Sequence, residues 1–249
     1  MRACALYTPA TARGSKIGGD SGETAFGMLM SFDEKLRRKL EQMLTVVDER
    51  EGRDTQGPRL LDDAARLWRR VGNFISMGLV TAEPDYEALE LSCMALQFPM
   101  RSIKAAAGGK MGRISLRDRA EQAAELLTEA VGGEIDESLL DRTARLLHET
   151  PQHPPVMEDA KLLADAVNLD DYGAIGFSLQ AIQLARQGDG IAQLIDGLEK
   201  REQYGYWEAR LKDGFHYEVV RRIAQERLEH LRHVAGLLSK ELGEDGPVP

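Results

Sequence analysis

Cysteine is scarce in this chain: Cys4 and Cys93 are the only two in 249 residues. Two thiols cannot staple a disulfide scaffold, and without a CxxC pair there is no zinc ribbon or dithiol redox motif. Cys4 falls in a mixed N-terminal stretch, and Cys93 in an apolar one that reads as core. No apolar run approaches the roughly 18 residues that a membrane span needs. Residues 1–12 lack the apolar region of a signal peptide, although Ala10-Thr11-Ala12 mimics a cleavage site. A cytoplasmic location without membrane partners is therefore expected. Positive charge is also short, with 32 Lys+Arg against 41 Asp+Glu and a net charge of −9. That balance argues against a nucleic-acid partner, which needs a surplus of cations to neutralise phosphates. Period-two alternation between hairpin turns is missing. So are GxSxG, HExxH and a Cys–His nucleophile pattern. Residues 104–112 contain Gly-Gly-Lys but lack the first Gly of a P-loop and the Ser/Thr after its Lys. Lys104, Lys110 and Arg113 remain there as a candidate contact for a phosphate-bearing ligand.

What is present is helical. Hydrophobic residues make up 43% and charged residues 29%, ordinary for a globular domain. Residues 1–30, with Gly14, Gly18, Gly19 and Gly22, are expected to form a flexible leader. Residues 31–242 are expected to form one all-α domain, and 243–249 a flexible tail. Ser31 with Glu34 has the form of a capping box, predicting a helix to about Arg50. Leu60, Ala64, Leu67, Val71, Phe74 and Ile75 recur at three- and four-residue steps, and Trp68 shares that apolar side. Residues 86–96 form a strongly apolar helix ending near Pro99. Ser115 with Asp118 opens a helix that closes at Gly132-Gly133. Further helices are predicted over 136–148, 157–166, 171–186, 191–203 and 216–242. Tyr204, Tyr206 and Trp207 read as packing aromatics. The alternating charges of residues 221–232 fit a solvated face or, less simply, a homodimer interface.

The segment with the most chemistry is 158–176. Glu158, Leu162 and Asp165 lie at i, i+4 and i+7, so one helical face carries two carboxylates. Asn168, Asp170 and Asp171 follow near the helix end. Helical bundles build metal sites from carboxylates projected into their interior. The same spacing also fits a scaffold, with Asp165 paired to Lys161 and residues 168–171 capping the next helix. His148 fits either a ligand or a helix-end His favoured by the C-terminal dipole. His153 reads as a solvated loop residue and His216 as a helix start. His230 and His233 read as an exposed face.

The run from Leu163 through Asp165, Asn168, Asp170, Asp171 and Gly173-Ala174-Ile175-Gly176 resembles the last signature of HD-domain metal-dependent phosphohydrolases. Ala144-Arg145-Leu146-Leu147-His148 is similar to the helix preceding that signature, Glu158 to the Glu that opens it, and residues 219–227 to the family's closing helix. The resemblance implies an HD-domain-like all-α bundle. It also implies a divalent metal, Mn, Fe or Zn, that polarises a phosphoryl oxygen and activates water. By position Asp165 matches the late metal Asp, and His148 a family-type His. The adjacent His-Asp pair is missing: Gln97 and Phe98 stand in its place, and the helix of Ala65, Arg66, Leu67 and Trp68 has no first His. An amide offers one neutral oxygen and a phenyl ring none, and no His occurs before His148.

Three readings follow. The first is a pseudoenzyme, without a required cofactor, that keeps the fold to bind a small-molecule or protein ligand, with Glu158, Asp170 and Lys110 as candidate contacts. The second is an active phosphohydrolase acting on a nucleotide or other phosphate ester, its metal held by Asp165 and His148 joined by Glu158 or Asp170. The third is an interaction protein.

Overall fold

A computed structural model describes residues 32–44, 58–100 and 115–244. The predicted leader, the loop holding Lys104, Lys110 and Arg113, and Ser31 lie outside the described residues. Ten α-helices and no strands are found among those described. They are α1 (Glu34–Leu44), α2 (Pro58–Ser76), α3 (Tyr86–Ala95), α4 (Leu116–Val131), α5 (Glu137–Glu149), α6 (Glu158–Asn168), α7 (Gly173–Gln187), α8 (Ile191–Gln203), α9 (Tyr206–Asp213) and α10 (Glu218–Glu244). A 3-10 turn, Leu169–Asp171, joins α6 to α7. The all-α expectation is met.

Local chemistry explains the boundaries. Asp33 accepts the Leu36 N–H at 2.8 Å and caps α1, the role the sequence pattern gives to Ser31. The Ser115 hydroxyl accepts the Asp118 N–H at 3.1 Å, so the second predicted cap holds. Pro58 sits in the first turn of α2, where its missing N–H costs nothing.

Burial follows the apolar stripes. Ala64, Leu67, Val71 and Phe74 of α2 are buried, and Trp68 packs partly against them. Residues 88–95 of α3 are buried without exception, which is why this helix is apolar almost all round. It packs against α2, α4, α5 and α6 as the central element of the first half. The second half builds on α10, which packs against α7, α8 and α9. The junction between the halves is α6 with the turn after it.

Two expectations need correction. The eight residues of α9 were not foreseen as a helix; their Trp207 is fully buried against Tyr172 and Tyr206, whereas Tyr204 is exposed. Gly205 enters α9 with φ +62°, a left-handed conformation that suits a residue without Cβ. Gly243 and Glu244, expected in a tail, belong to α10, and residues 245–249 lie outside the described residues. The charged stretch of α10 also has partners within the chain. Arg232 holds Glu202 of α8 with two 2.7 Å hydrogen bonds and Glu208 of α9 at 2.9 Å. Arg221 donates to the Leu211 and Phe215 carbonyls.

Candidate functional site

Helix α6 and the 3-10 turn after it project Asp165, Glu158 and Asp170 in three directions. Asp165 points inward and is fully buried. Its two oxygens accept the backbone N–H groups of His216 at 2.8 Å and Tyr217 at 3.0 Å, at the entry to α10. Burial pushes the Asp165 carboxyl up to about 7, against the opposing pull of the two N–H groups and of Arg221. The predicted pairing with Lys161 does not form. Lys161 instead donates to Glu158 at 2.5 Å.

Glu158, at the other end of α6, is half-exposed. It also accepts the Tyr217 hydroxyl at 3.1 Å. Tyr217 therefore bridges both carboxylates, with its N–H on Asp165 and its hydroxyl on Glu158. The hydrogen bond from Lys161, then that from Tyr217, holds the Glu158 carboxyl below its ordinary range against partial burial. His216 lies beside this pair with its ring 5.4 Å from that of His153.

Asp170 faces a third way, towards α2. Arg66 and Arg70, one turn apart, both reach its Oδ1; the Arg70 contact is 2.9 Å. Arg66 also binds Asp63 at 2.8 Å, and Arg70 donates to the Ala166 carbonyl. The residues expected to cap α7 do other work. The Asn168 amide donates to the Gly214 carbonyl at 2.6 Å, and Asn168 and Asp171 both accept from Arg210. Helix α7 follows Tyr172, whose side chain does not cap it, and has no acidic residue in its first turn.

His148 is in the last turn of α5 and exposed. It borders an open hollow of about 630 Å³ with Arg145, Glu149, Gln152, Pro154 and Val156. The sequence resemblance places His148 with Asp165, and the structure separates them: one is on the surface, the other is sealed in the core. Lys110 lies outside the described residues. Gln97 and Phe98 are both buried. The Gln97 amide oxygen accepts from Arg119 at 2.8 Å, and its nitrogen donates to the Cys93 carbonyl at 3.3 Å.

These donors do not fit the divalent metal that the resemblance implies. Both Asp165 oxygens accept backbone N–H groups inside the buried core. The Gln97 oxygen is already engaged by Arg119, Phe98 has no donor atom, and His148 is elsewhere. Among the described residues no three His, Cys, Asp or Glu side chains are grouped so as to hold an ion. Sequence reasoning missed the basic side of the site, Arg66 and Arg70 on α2 and Arg227 on α10. The available signal was the i, i+4 spacing of Arg66 and Arg70, opposite Asp170.

No family model and no curated protein matches this sequence. Among solved structures the chain is similar to Bacillus subtilis YpgQ, determined in complex with ADP. The TM-score is 0.50 and the identity 17%, over 88% of this chain and 96% of that one. The likeness covers most of the chain and shows a shared fold. No helix among the described residues is long and apolar enough to cross a membrane.

Proposed function

We propose that this chain is a degenerate HD-domain protein that keeps the bundle to bind a small phosphate-bearing ligand and does not hydrolyse it through a bound metal. One observation carries the reading. Asp165, the residue matching the family's late metal Asp, spends both carboxylate oxygens on the His216 and Tyr217 N–H groups inside the core. A carboxylate used this way is a tie between α6 and α10. Among the described residues no group of His, Cys, Asp or Glu side chains stands with it to complete an ion's shell. The loss of the His-Asp pair to Gln97 and Phe98 supports the same reading, since Phe98 fills space and Gln97 is committed to Arg119.

The choice of ligand class rests on the solved relative of the same fold, whose complex contains ADP. It also rests on the guanidinium groups of Arg66 and Arg70 at the end of α6. A nucleoside diphosphate is the first probe. The test is calorimetric titration of the full chain with ADP in EDTA, followed by measurement of phosphate release with added Mn²⁺, Fe²⁺ or Zn²⁺. Saturable ADP binding in chelator with no metal-dependent release is the expected result. Metal-dependent release that disappears in Asp165→Ala would overturn the reading.

A further inference from the structure

Three guanidinium groups converge where α2, α10 and the start of α7 meet. Arg66 and Arg70 share Asp170, and Arg66 also holds Asp63. Arg227 comes from α10 and lies within electrostatic reach of Arg66, Arg70 and Asp170. Its side chain passes over Gly173: a Cβ built on Gly173 would stand 3.2 Å from the Cβ of Arg227 and 3.4 Å from its Cγ. Gly173 has φ +72°, so both its backbone and the close approach of Arg227 suit glycine. Asp63 and Asp170 match two of the three positive charges. Arg227 is half-buried and makes no hydrogen bond or ion pair among the described residues, although a guanidinium carries five donors. Burial, and after it the neighbouring Arg70 and Arg66, hold its guanidinium below the ordinary value against the pull of Asp170.

The second component is the backbone. The N-cap residue of the 15-residue α7, Tyr172, makes no side-chain cap hydrogen bond, and no acidic residue lies in the first turn, Asp170 and Asp171 standing in the 3-10 turn before it. An uncapped helix N-terminus carries partial positive charge and donors that point outward. Here it abuts an unpaired arginine. Arg66 remains about one-fifth exposed, so the cluster is open to solvent.

We propose that Arg227, together with Arg66, Arg70 and the N-terminus of α7, forms a binding site for the phosphate or diphosphate group of a small molecule. An anion there supplies the acceptor that Arg227 lacks and compensates the unmatched positive charge. Bidentate guanidinium–phosphate bonds add geometric selectivity. The site deepens the ligand-binding reading above and rests on it.

The experiment is calorimetric titration of the full chain with ADP, adenosine and inorganic pyrophosphate in EDTA, beside Arg227→Gln and Arg227→Lys. Arg227 is the residue to change because it holds no other side chain, and thermal melts verify that both variants fold. ADP and pyrophosphate should bind competitively, adenosine should bind at least about tenfold more weakly, and Arg227→Gln should weaken ADP and pyrophosphate about tenfold or more. Arg227→Lys should recover part of that loss. ADP binding at parental affinity in folded Arg227→Gln would overturn this site and leave the ligand-binding reading standing. Pyrophosphate binding that depends on Arg227, without any ADP binding, would keep the anion site and overturn the nucleotide reading. If neither ligand binds the parent chain, both fall.

Discussion

The carboxylate of Asp165 accepts the N–H of His216 at 2.8 Å across 51 residues of chain, joining the middle of α6 to the entry of the last helix. With the Tyr217 N–H on its other oxygen at 3.0 Å, this contact fixes where α10 begins against the core. A side chain read from sequence as a candidate metal ligand is thereby a structural tie.

Removing that tie should destabilise the fold with or without metal. Asp165→Ala leaves two backbone donors without acceptors, and each such loss costs about 1–3 kcal/mol. A total of about 2–6 kcal/mol is expected, read as a shift in the urea midpoint and unchanged by EDTA or by added Mn²⁺.

The same carboxyl should titrate near neutrality. Its folded value of about 7 lies above the unfolded value of roughly 3.9. The folded state therefore holds its proton where the unfolded state has lost it. The stability Asp165 contributes is full below about pH 4 and is lost as pH rises through about 7. The carboxyl ¹³C resonance of Asp165 should move with a midpoint near pH 7. A midpoint below 5 would show that the two N–H bonds outweigh burial.

Phe98 stands where the resemblance places a metal-binding Asp, and it is 1% exposed. Phe98→Ala should cost about 3–5 kcal/mol through lost burial and the cavity left behind. The double change Gln97→His with Phe98→Asp should not create metal-dependent phosphohydrolysis, because α2 still lacks the first His of the family's ligand set. Denaturant melts and a phosphate-release assay check the two statements separately.

Asp170 should matter more than an exposed ion pair does. Its partner Arg70 is 9% exposed at the side chain, and Arg66 shares the same oxygen. Asp170→Ala leaves Arg66 with Asp63 and Arg70 with the Ala166 carbonyl but removes the charge they share beside Arg227, a loss of about 1–3 kcal/mol. The loss should shrink in high salt, as screening relieves the mutual repulsion. Melts in 0.1 M and 1 M NaCl would show it.

Much of the framework is visible in the residues themselves. The three- and four-residue apolar steps of α2, the Ser115 cap and the Gly132-Gly133 stop place their helices within a residue or two, because local periodicity and capping decide those boundaries. The importance of Asp165 is also visible, since a carboxylate on an inward face demands a partner. The identity of that partner is not. Backbone N–H groups leave no mark in a sequence, and these arrive from 51 and 52 residues away. The three arginines were hidden for a related reason. Arg66 and Arg70 lie on a helix with many charges, and Arg227 lies in an alternating run that reads as a solvated face. Only tertiary packing brings them to Asp170. Helix α9 escaped because eight residues between Gly205 and Gly214 are too few to show a period.

Under the proposed function, the fold has outlived its metal chemistry. The most direct measurement is metal content per chain after incubation with Mn²⁺, Fe²⁺ and Zn²⁺ and desalting, with Asp165→Ala run alongside. Far less than one ion per chain is expected in both proteins. Near-stoichiometric metal in the parent, lost in folded Asp165→Ala, would contradict it.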